Sequence, residues 1–337
     1  MSNPFNRALL FTDIHFGMKS NSQQHNQDCI DFIEWATDLG KTKGCDRVIF
    51  SGDWHHNRAS ISVYTLTASL RGLEIISNKF DRADFIPGNH DLYYRDKRTV
   101  ASIEWARHIP NIHIHNELYR EGDFVMIPWL VGDEYKHLRK LTAKHVFGHF
   151  ELPHFKMNAM VEMPDHGEIQ AEDLGGVEHV WTGHFHKRQQ RGNINYIGNA
   201  FPHNYADAWD DERGAVILDW DGTREYHAWP NAPRYRTMKL SQLLDSPETH
   251  LTPESYLRVN IDIPISYEEA NFIRETFDQQ YKPRELALIP QKQDEAVFDS
   301  SVEIKFESVD QIVHGQLASV ESEFYDPKLL MQIYENL

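Results

Sequence analysis

Five short clusters in this 337-residue chain hold residue types that do chemistry together. They are Asp13-Ile-His15, Gly52-Asp53-Trp54-His55-His56, Gly88-Asn89-His90-Asp91, Gly148-His149 and Gly183-His184-Phe185-His186. Each is weak alone, since a lone Asp-x-His or Gly-Asp is common in turns. Together they supply carboxylate, imidazole and amide donors, the ligand types of a borderline divalent metal. Asn89, His90 and Asp91 follow a buried apolar run directly, and on an extended segment His184 and His186 point to one side. Seven candidate ligands among these clusters suit two metals sharing one carboxylate. The shared group must be anionic, and Asp53 is the natural bridge. Such pairs, about 3.5–4 Å apart, clamp an in-line displacement at phosphorus and supply hydroxide from a bridging water. The leaving alkoxide then needs a proton. His90, beside a ligand without being needed as one, fits a general acid, and Asp91 is placed to orient it.

Each cluster must be carried by an element. Arg7–Phe11, Arg47–Phe50 and 83–86 read as strands separated by helical stretches. The first stretch, 24–39, lines up Cys29, Phe32, Ile33, Ala36 and Leu39. The second, 60–78, lines up Leu66, Leu70, Leu73 and Ile76. This β-α-β-α-β rhythm predicts a parallel sheet covered by helices. Further short strands follow at 112–115, 124–127, 145–147, 179–181, 195–197 and 215–219, with a hairpin signal at Asp221-Gly222. That is too many for one doubly wound sheet, so the expectation is α/β: a four-layer αββα sandwich over 1–230. Pro230 and Pro233 break the pattern. A strand at 256–263 and a helix at 266–280 then predict a small α/β cap domain over 231–295. After a polar linker around 291–300, Ser308 to Gln311 fits a capping box. Apolar residues at helical spacing follow, from Val309 to Phe324 and from Leu329 to Tyr334, so 296–337 reads as linker and C-terminal helical pair.

Composition narrows the class. Hydrophobic residues make up 40% and charged residues 25%, the balance of a folded globular chain. No apolar run is long enough to span a membrane, and Cys29 and Cys45 are too few for a disulfide scaffold. With no apolar signal core at the N-terminus, a cytoplasmic protein is expected. The net charge is 34 − 51 = −17, and residues 238–337 carry 8 − 19 = −11 of it. Of the 20 histidines, 18 precede residue 238, which puts the metal chemistry in the first part. The negative charge argues against electrostatic coating of nucleic acid but allows an enzyme with a small basic track. The compact basic cluster near the motifs is Arg95, Lys97 and Arg98, a phosphate track or a solvated face with equal weight. Trp54, Trp129 and Trp209 read as rim packing before base stacking, and His55 as a solvated loop residue.

Asp-x-His, Gly-Asp-x-x-His, Gly-Asn-His-Asp, Gly-His and Gly-His-x-His, in this order, resemble the calcineurin-like metallophosphoesterase superfamily over residues 7 to about 220. The runs GNHDLYY (88–94), IPWL (127–130), GHFEL (148–152), TGHFH (182–186), YIGNAFP (196–202) and DERG (211–214) look like the nuclease subunit of SbcCD-type recombination and repair complexes, bacteriophage members above all. The resemblance implies one metal on Asp13, His15, Asp53 and His186 and another on Asp53, Asn89, His149 and His184. Manganese is the family's usual metal, with magnesium as the alternative. His56, three after the bridging Asp, matches a second active-site histidine of the nucleases. YIGNAFP departs from the more usual small residue and Pro after the Gly, which leaves the substrate-side loop open. The implied activity is a two-metal DNA exonuclease or endonuclease. It would work with DNA and, through its C-terminal helices, with an SMC-like ATPase, as a homodimer within a heterotetramer. ATP would act on the partner, since this chain has no phosphate-binding loop of the Walker type. The alternative is a stand-alone phosphatase or cyclic-nucleotide phosphodiesterase of the same superfamily. A non-enzymatic scaffold is disfavoured by the full ligand set.

Overall fold

The computed structural model describes residues 3–157, 161–167 and 169–290. The expected linker and terminal helical pair of 296–337, and the last residues of the expected cap, lie outside them.

Fifteen strands form three sheets among the described residues. The first sheet holds β1 (Arg7–Phe11), β2 (Arg47–Phe50), β3 (Ala83–Phe85) and β4 (Ile112–Ile114), all parallel. The second runs from β5 (Tyr119–Glu121) and β6 (Phe124–Ile127) through β7 (Ala143–His149) and β8 (Val177–Gly183) to β9 (Gln189–Arg191) and β10 (Ile194–Tyr196). Its order is β5-β6-β7-β8-β10-β9, with β6, β7, β8 and β10 parallel. The chain then returns to the first sheet as the antiparallel hairpin β11 (Gly214–Asp219) and β12 (Arg224–Ala228), which sits on the far side of β1.

Side-chain alternation makes these two sheets a sandwich. Ala8, Leu10, Ile49, Val216 and Leu218 on one sheet and Phe124, Met126, Phe147 and Trp181 on the other form one inter-sheet core. Their neighbours Leu9, Phe11, Val48 and Phe50 point outward and pack against the helices Gln23–Thr42 and Val63–Lys79 through Phe32, Ile33, Leu73 and Ile76. On the other outer face Val125, Ile127, Val146 and Val180 are covered by Leu138, Phe150, Phe155 and Leu174. That fourth layer is thin: the 3-10 helices Glu134–Lys140 and Ala171–Leu174 with loops around them.

The second helix departs from its expected register. Leu73 and Ile76 are buried, but Leu66 and Leu70 are about two-fifths exposed and Val63 is 83% exposed. The N-terminal half of the apolar stripe runs past the edge of the core.

Residues 231–290 add a three-stranded parallel sheet of β13 (Arg234–Lys239), β14 (Ser255–Ile261) and β15 (Glu285–Pro290). Helices Leu240–Asp245 and Tyr267–Tyr281 connect its strands, the latter starting at the capping box Ser266/Glu269. This sheet is tied to the sandwich by the paired contacts of Arg284 with Asp28, 2.7 and 2.8 Å. The Trp209 indole N–H donates to the Thr237 carbonyl, 3.1 Å. Trp209 is half exposed and serves as this strap, with the Arg236 guanidinium over its ring.

Candidate metal centre

Parallel strands send their C-terminal ends to one side, and in this sandwich both sheets do so at the same edge. β1 ends two residues before Asp13, and β2 ends three before Asp53. β3 leads to Gly88-Asn89-His90, β7 ends in His149, and β8 ends at Gly183 just before His184. The first two loops extend their strands as a ladder: Asp13 N–H donates to Gly52 O, and His15 N–H to Asp53 O. Holding so many side chains inward bends the backbone. Asp13, His15, Asp53 and His184 have φ of 51°, 54°, 60° and 87°, in the left-handed region that non-glycine residues enter at a cost. Gly88 lies so close to Asp53 that a methyl group there would overlap the carboxylate and the Asp53 nitrogen.

The donor atoms fall into two sets. His15 Nε2 is 3.3 Å from His186 Nε2, 3.6 Å from Asp53 Oδ2 and 3.9 Å from Asp13 Oδ1. His186 Nε2 is 3.8 Å from Asp13 Oδ1. In the second set His149 Nε2 is 3.4 Å from Asp53 Oδ2 and 3.2 Å from Asn89 Oδ1, which is 3.0 Å from His184 Nδ1. Bonds of about 2.1 Å place neighbouring ligands about 3.0 Å apart in an octahedron and about 3.4 Å apart in a tetrahedron. The second set falls at these spacings and the first is wider by up to about half an ångström, so both are candidate cation sites, and Asp53 Oδ2 belongs to both.

Electrostatics favour such use. Asp13 and Asp53 are fully buried, and among the described residues Asp13, His15 and Asp53 form one of the compact ligand groups. Burial pushes the Asp13 carboxyl up. Burial also opposes ionisation of Asp53, but His149, with His15 and His90, outweighs it and holds that carboxyl well below its usual range. Burial keeps His15, His184 and His186 below the usual imidazole range, so they stay neutral with lone pairs available. His149 behaves oppositely: Asp53 overcomes its burial and raises it to about 9.

His90 and His56 stack at the rim, ring centroids 5.1 Å apart, and His90 lies 4.9 Å from the His15 ring. His56 Nδ1 is 3.4 Å from His15 Nδ1. His90 also fixes the bridge, its backbone N–H donating to Asp53 Oδ1 at 2.8 Å.

Four expectations are corrected here. Asp91 does not orient His90. Its carboxylate is fully buried and accepts the backbone N–H groups of Asp53, Trp54, His55 and Gly88 at 2.9–3.2 Å, stapling two ligand loops together. The His90 ring is held instead by the His56 carbonyl, 2.8 Å from Nδ1. His55 is not a solvated loop residue. It is buried between the hydroxyls of Ser69 and Ser102, each 2.9 Å away. Arg98 is not free for phosphate: it pairs with both Glu134 oxygens and donates to the carbonyls of Asn116 and Trp129. Lys97 is exposed over the Tyr94 ring, and Arg95 is exposed at a cavity of about 430 Å³ that reaches His149, Glu151, Trp129 and Tyr135. The last correction is Trp54, fully buried with its N–H on Ser69 and away from any rim, whereas Trp129 packs 5.0 Å from the His184 ring.

Sequence reasoning missed three neighbours. Glu151, within GHFEL, sits 3.5 Å from His184 Nε2. Arg58 lies within electrostatic reach of Arg95 and Asp53. His203, one residue past the YIGNAFP run, packs 5.4 Å from His15 and 5.3 Å from His186.

No model of a known protein family matches the chain. In sequence it is similar to exonuclease subunit 1 of Enterobacteria phage T4, 27% identical over 227 residues. That match covers 65% of this chain and spans 66% of the phage protein's length, just under two thirds. Among solved structures, TT1561 of Thermus thermophilus aligns over 66% of this chain and 99% of its own, at 12% identity and a TM-score of 0.40. Pseudomonas putida nuclease MPE aligns over 63% and 84%, at 16% identity and a TM-score of 0.32. Both structural likenesses are too loose to carry an argument. The five motifs stand in chain order along one edge of a two-sheet sandwich, in a chain whose sequence is similar to that of a phage exonuclease subunit.

Proposed function

We propose that this chain is a metal-dependent DNA nuclease, cutting phosphodiesters at a two-cation site as a subunit of an SMC-like ATPase–nuclease complex in DNA recombination, repair or replication. One observation carries the two-cation reading: a single oxygen, Asp53 Oδ2, lies 3.6 Å from His15 Nε2 and 3.4 Å from His149 Nε2. Asp13, His15, Asp53 and His186 would hold one cation and Asp53, Asn89, His149 and His184 the other, manganese by preference and magnesium as the alternative. Bound there, the cations would activate water for in-line attack and neutralise charge on the phosphoryl oxygens.

The remaining steps belong to the protein. A carbonyl only accepts, so His90 Nδ1 carries the proton it gives to the His56 carbonyl. The protonated ring hands its Nε2 proton to the leaving oxygen and returns to the tautomer that carbonyl already holds. His56, stacked on His90, keeps that ring at the rim. Arg95 at the cavity, Arg58, which interacts with Asp53, and the exposed Lys97 would supply positive charge for the phosphate backbone.

The phage relative's name, an exonuclease subunit, supports DNA as substrate and a partner subunit. No helix among the described residues is long and apolar enough to cross a membrane, in keeping with action in the cytoplasm, that of the host if the chain is viral. The exposed strip of Val63, Leu66 and Leu70 suits a second copy of the chain, and 296–337 would dock the ATPase. The test is a nuclease assay on duplex and single-stranded DNA with manganese or magnesium, with and without a co-purified ATPase. Cation-dependent DNA cleavage is expected. Turnover of only phosphomonoesters or cyclic nucleotides would favour the stand-alone phosphoesterase.

A further inference from the structure

His203 is a histidine that none of the chemistry above uses. It is completely buried, and neither ring nitrogen has a hydrogen-bond partner. Its backbone N–H is satisfied by Asp207 Oδ2 at 2.9 Å, so the main chain is anchored while the ring is not. An orphaned imidazole is costly in a protein interior, and such groups call for a partner. The rings around it are His15, His186 and His25, with centroids 5.3–5.4 Å away, and Phe201 at 5.0 Å. His25 is already committed, its Nε2 3.0 Å from the His15 carbonyl oxygen. That leaves the side of His15 and His186. One ring nitrogen from each of His15, His186 and His203 lies within 4.8 Å of the others. Three nitrogens around one cation at about 2.1 Å span no more than about 4.2 Å, so a small rotation of one ring closes the set.

We infer that His203 is a further metal ligand, completing a three-imidazole face with His15 and His186 on the cation position that also uses Asp13 and Asp53. This rests on the two-cation reading proposed above and adds a consequence to it. The second position, with His149, His184, Asn89 and Asp53, has one imidazole fewer. Imidazole favours borderline transition metals, whereas magnesium prefers oxygen ligands. The His203 position therefore selects a transition metal over magnesium more strongly than its neighbour does.

The experiment titrates the full-length metal-stripped protein with cobalt(II) and with magnesium. It reads stoichiometry, affinity and the visible cobalt absorption for the natural protein, His203→Leu and His203→Gln. The natural protein is expected to bind two cobalt ions. Both variants should lose affinity at one site by more than the 10–100-fold typical of an outer-shell partner, with a changed spectrum and little change in magnesium affinity. Thermal unfolding of the metal-free forms separates ligation from packing. The unpartnered ring contributes no hydrogen bond there, so metal-free His203→Leu should be at least as stable as the natural protein. Two cobalt ions bound by both variants with unchanged affinity and spectrum would overturn the inference, as would cobalt loss explained by unfolding of the metal-free variants. If the natural protein itself binds no pair of cations, the two-cation reading fails, and this inference with it.

Discussion

At the residue scale the centre depends on one oxygen. Asp53 Oδ2 touches both donor sets, so Asp53→Asn is expected to reduce bound metal at both positions, while His149→Ala empties mainly one. Metal-to-protein ratios after dialysis against manganese distinguish the two, and equal loss in both variants would refute separate positions. His90 is a different case, because it meets the centre through its backbone N–H and presents its ring to the rim. His90→Ala should retain metal and DNA affinity yet lose turnover by about 100-fold or more. Unchanged turnover with metal retained would remove it from the mechanism. The order Asp13-x-His15 and Asp53 was legible in the sequence because short motifs sit at strand ends. The role of Asp91 was not, because its carboxylate answers backbone groups that no pattern of side chains reveals.

At the element scale the loops after β2 and β3 are held together by the Asp91 carboxylate. Asp91→Ala leaves several buried N–H groups without an acceptor, at about 1–3 kcal/mol each. It should lower the thermal midpoint of the metal-free protein and weaken metal binding together. Loss of turnover with unchanged stability would instead restore a role for Asp91 in orienting His90. A second element-level device lies between β7 and β8. His145 Nδ1 accepts the Trp181 indole N–H at 3.1 Å, and its Nε2–H donates to the Trp220 carbonyl at 2.9 Å, so the ring is locked neutral. Burial lowers its pKa to about 4. Between pH 6.5 and about 4 the unfolded chain takes up a proton there that the folded chain refuses, so stability falls as the pH drops through that window. His145→Gln should flatten the slope by up to about 1.4 kcal/mol per pH unit in urea unfolding. An unaltered slope would place the acid sensitivity elsewhere.

At the scale of the whole molecule, the described residues up to Pro290 belong to one compact unit. All the candidate metal ligands lie within it, ahead of residues 296–337. Deleting 301–337 is therefore expected to leave metal content and basal nuclease activity in place while abolishing co-purification with the ATPase. A truncated protein that aggregates would assign these residues to the core of the chain itself, and one that still binds the ATPase fully would end the docking proposal.

The sequence by itself determined the strands at 7–11, 47–50 and 124–127 and the order of the motifs that follow strand ends. Period-two apolar runs and short polar clusters after them are local signals. Only the tertiary structure decided which polar residues share a cavity. His203 and Glu151 reach the centre from loops whose sequence carries no periodicity. Arg98 is taken from the basic cluster by Glu134, 36 residues away in the chain. Leu66 and Leu70 share a helical stripe with Leu73 and Ile76, yet the sheet beneath ends before it covers them. Such outcomes depend on where the edge of one element falls against another, and long-range packing sets that edge after the local pattern has been satisfied.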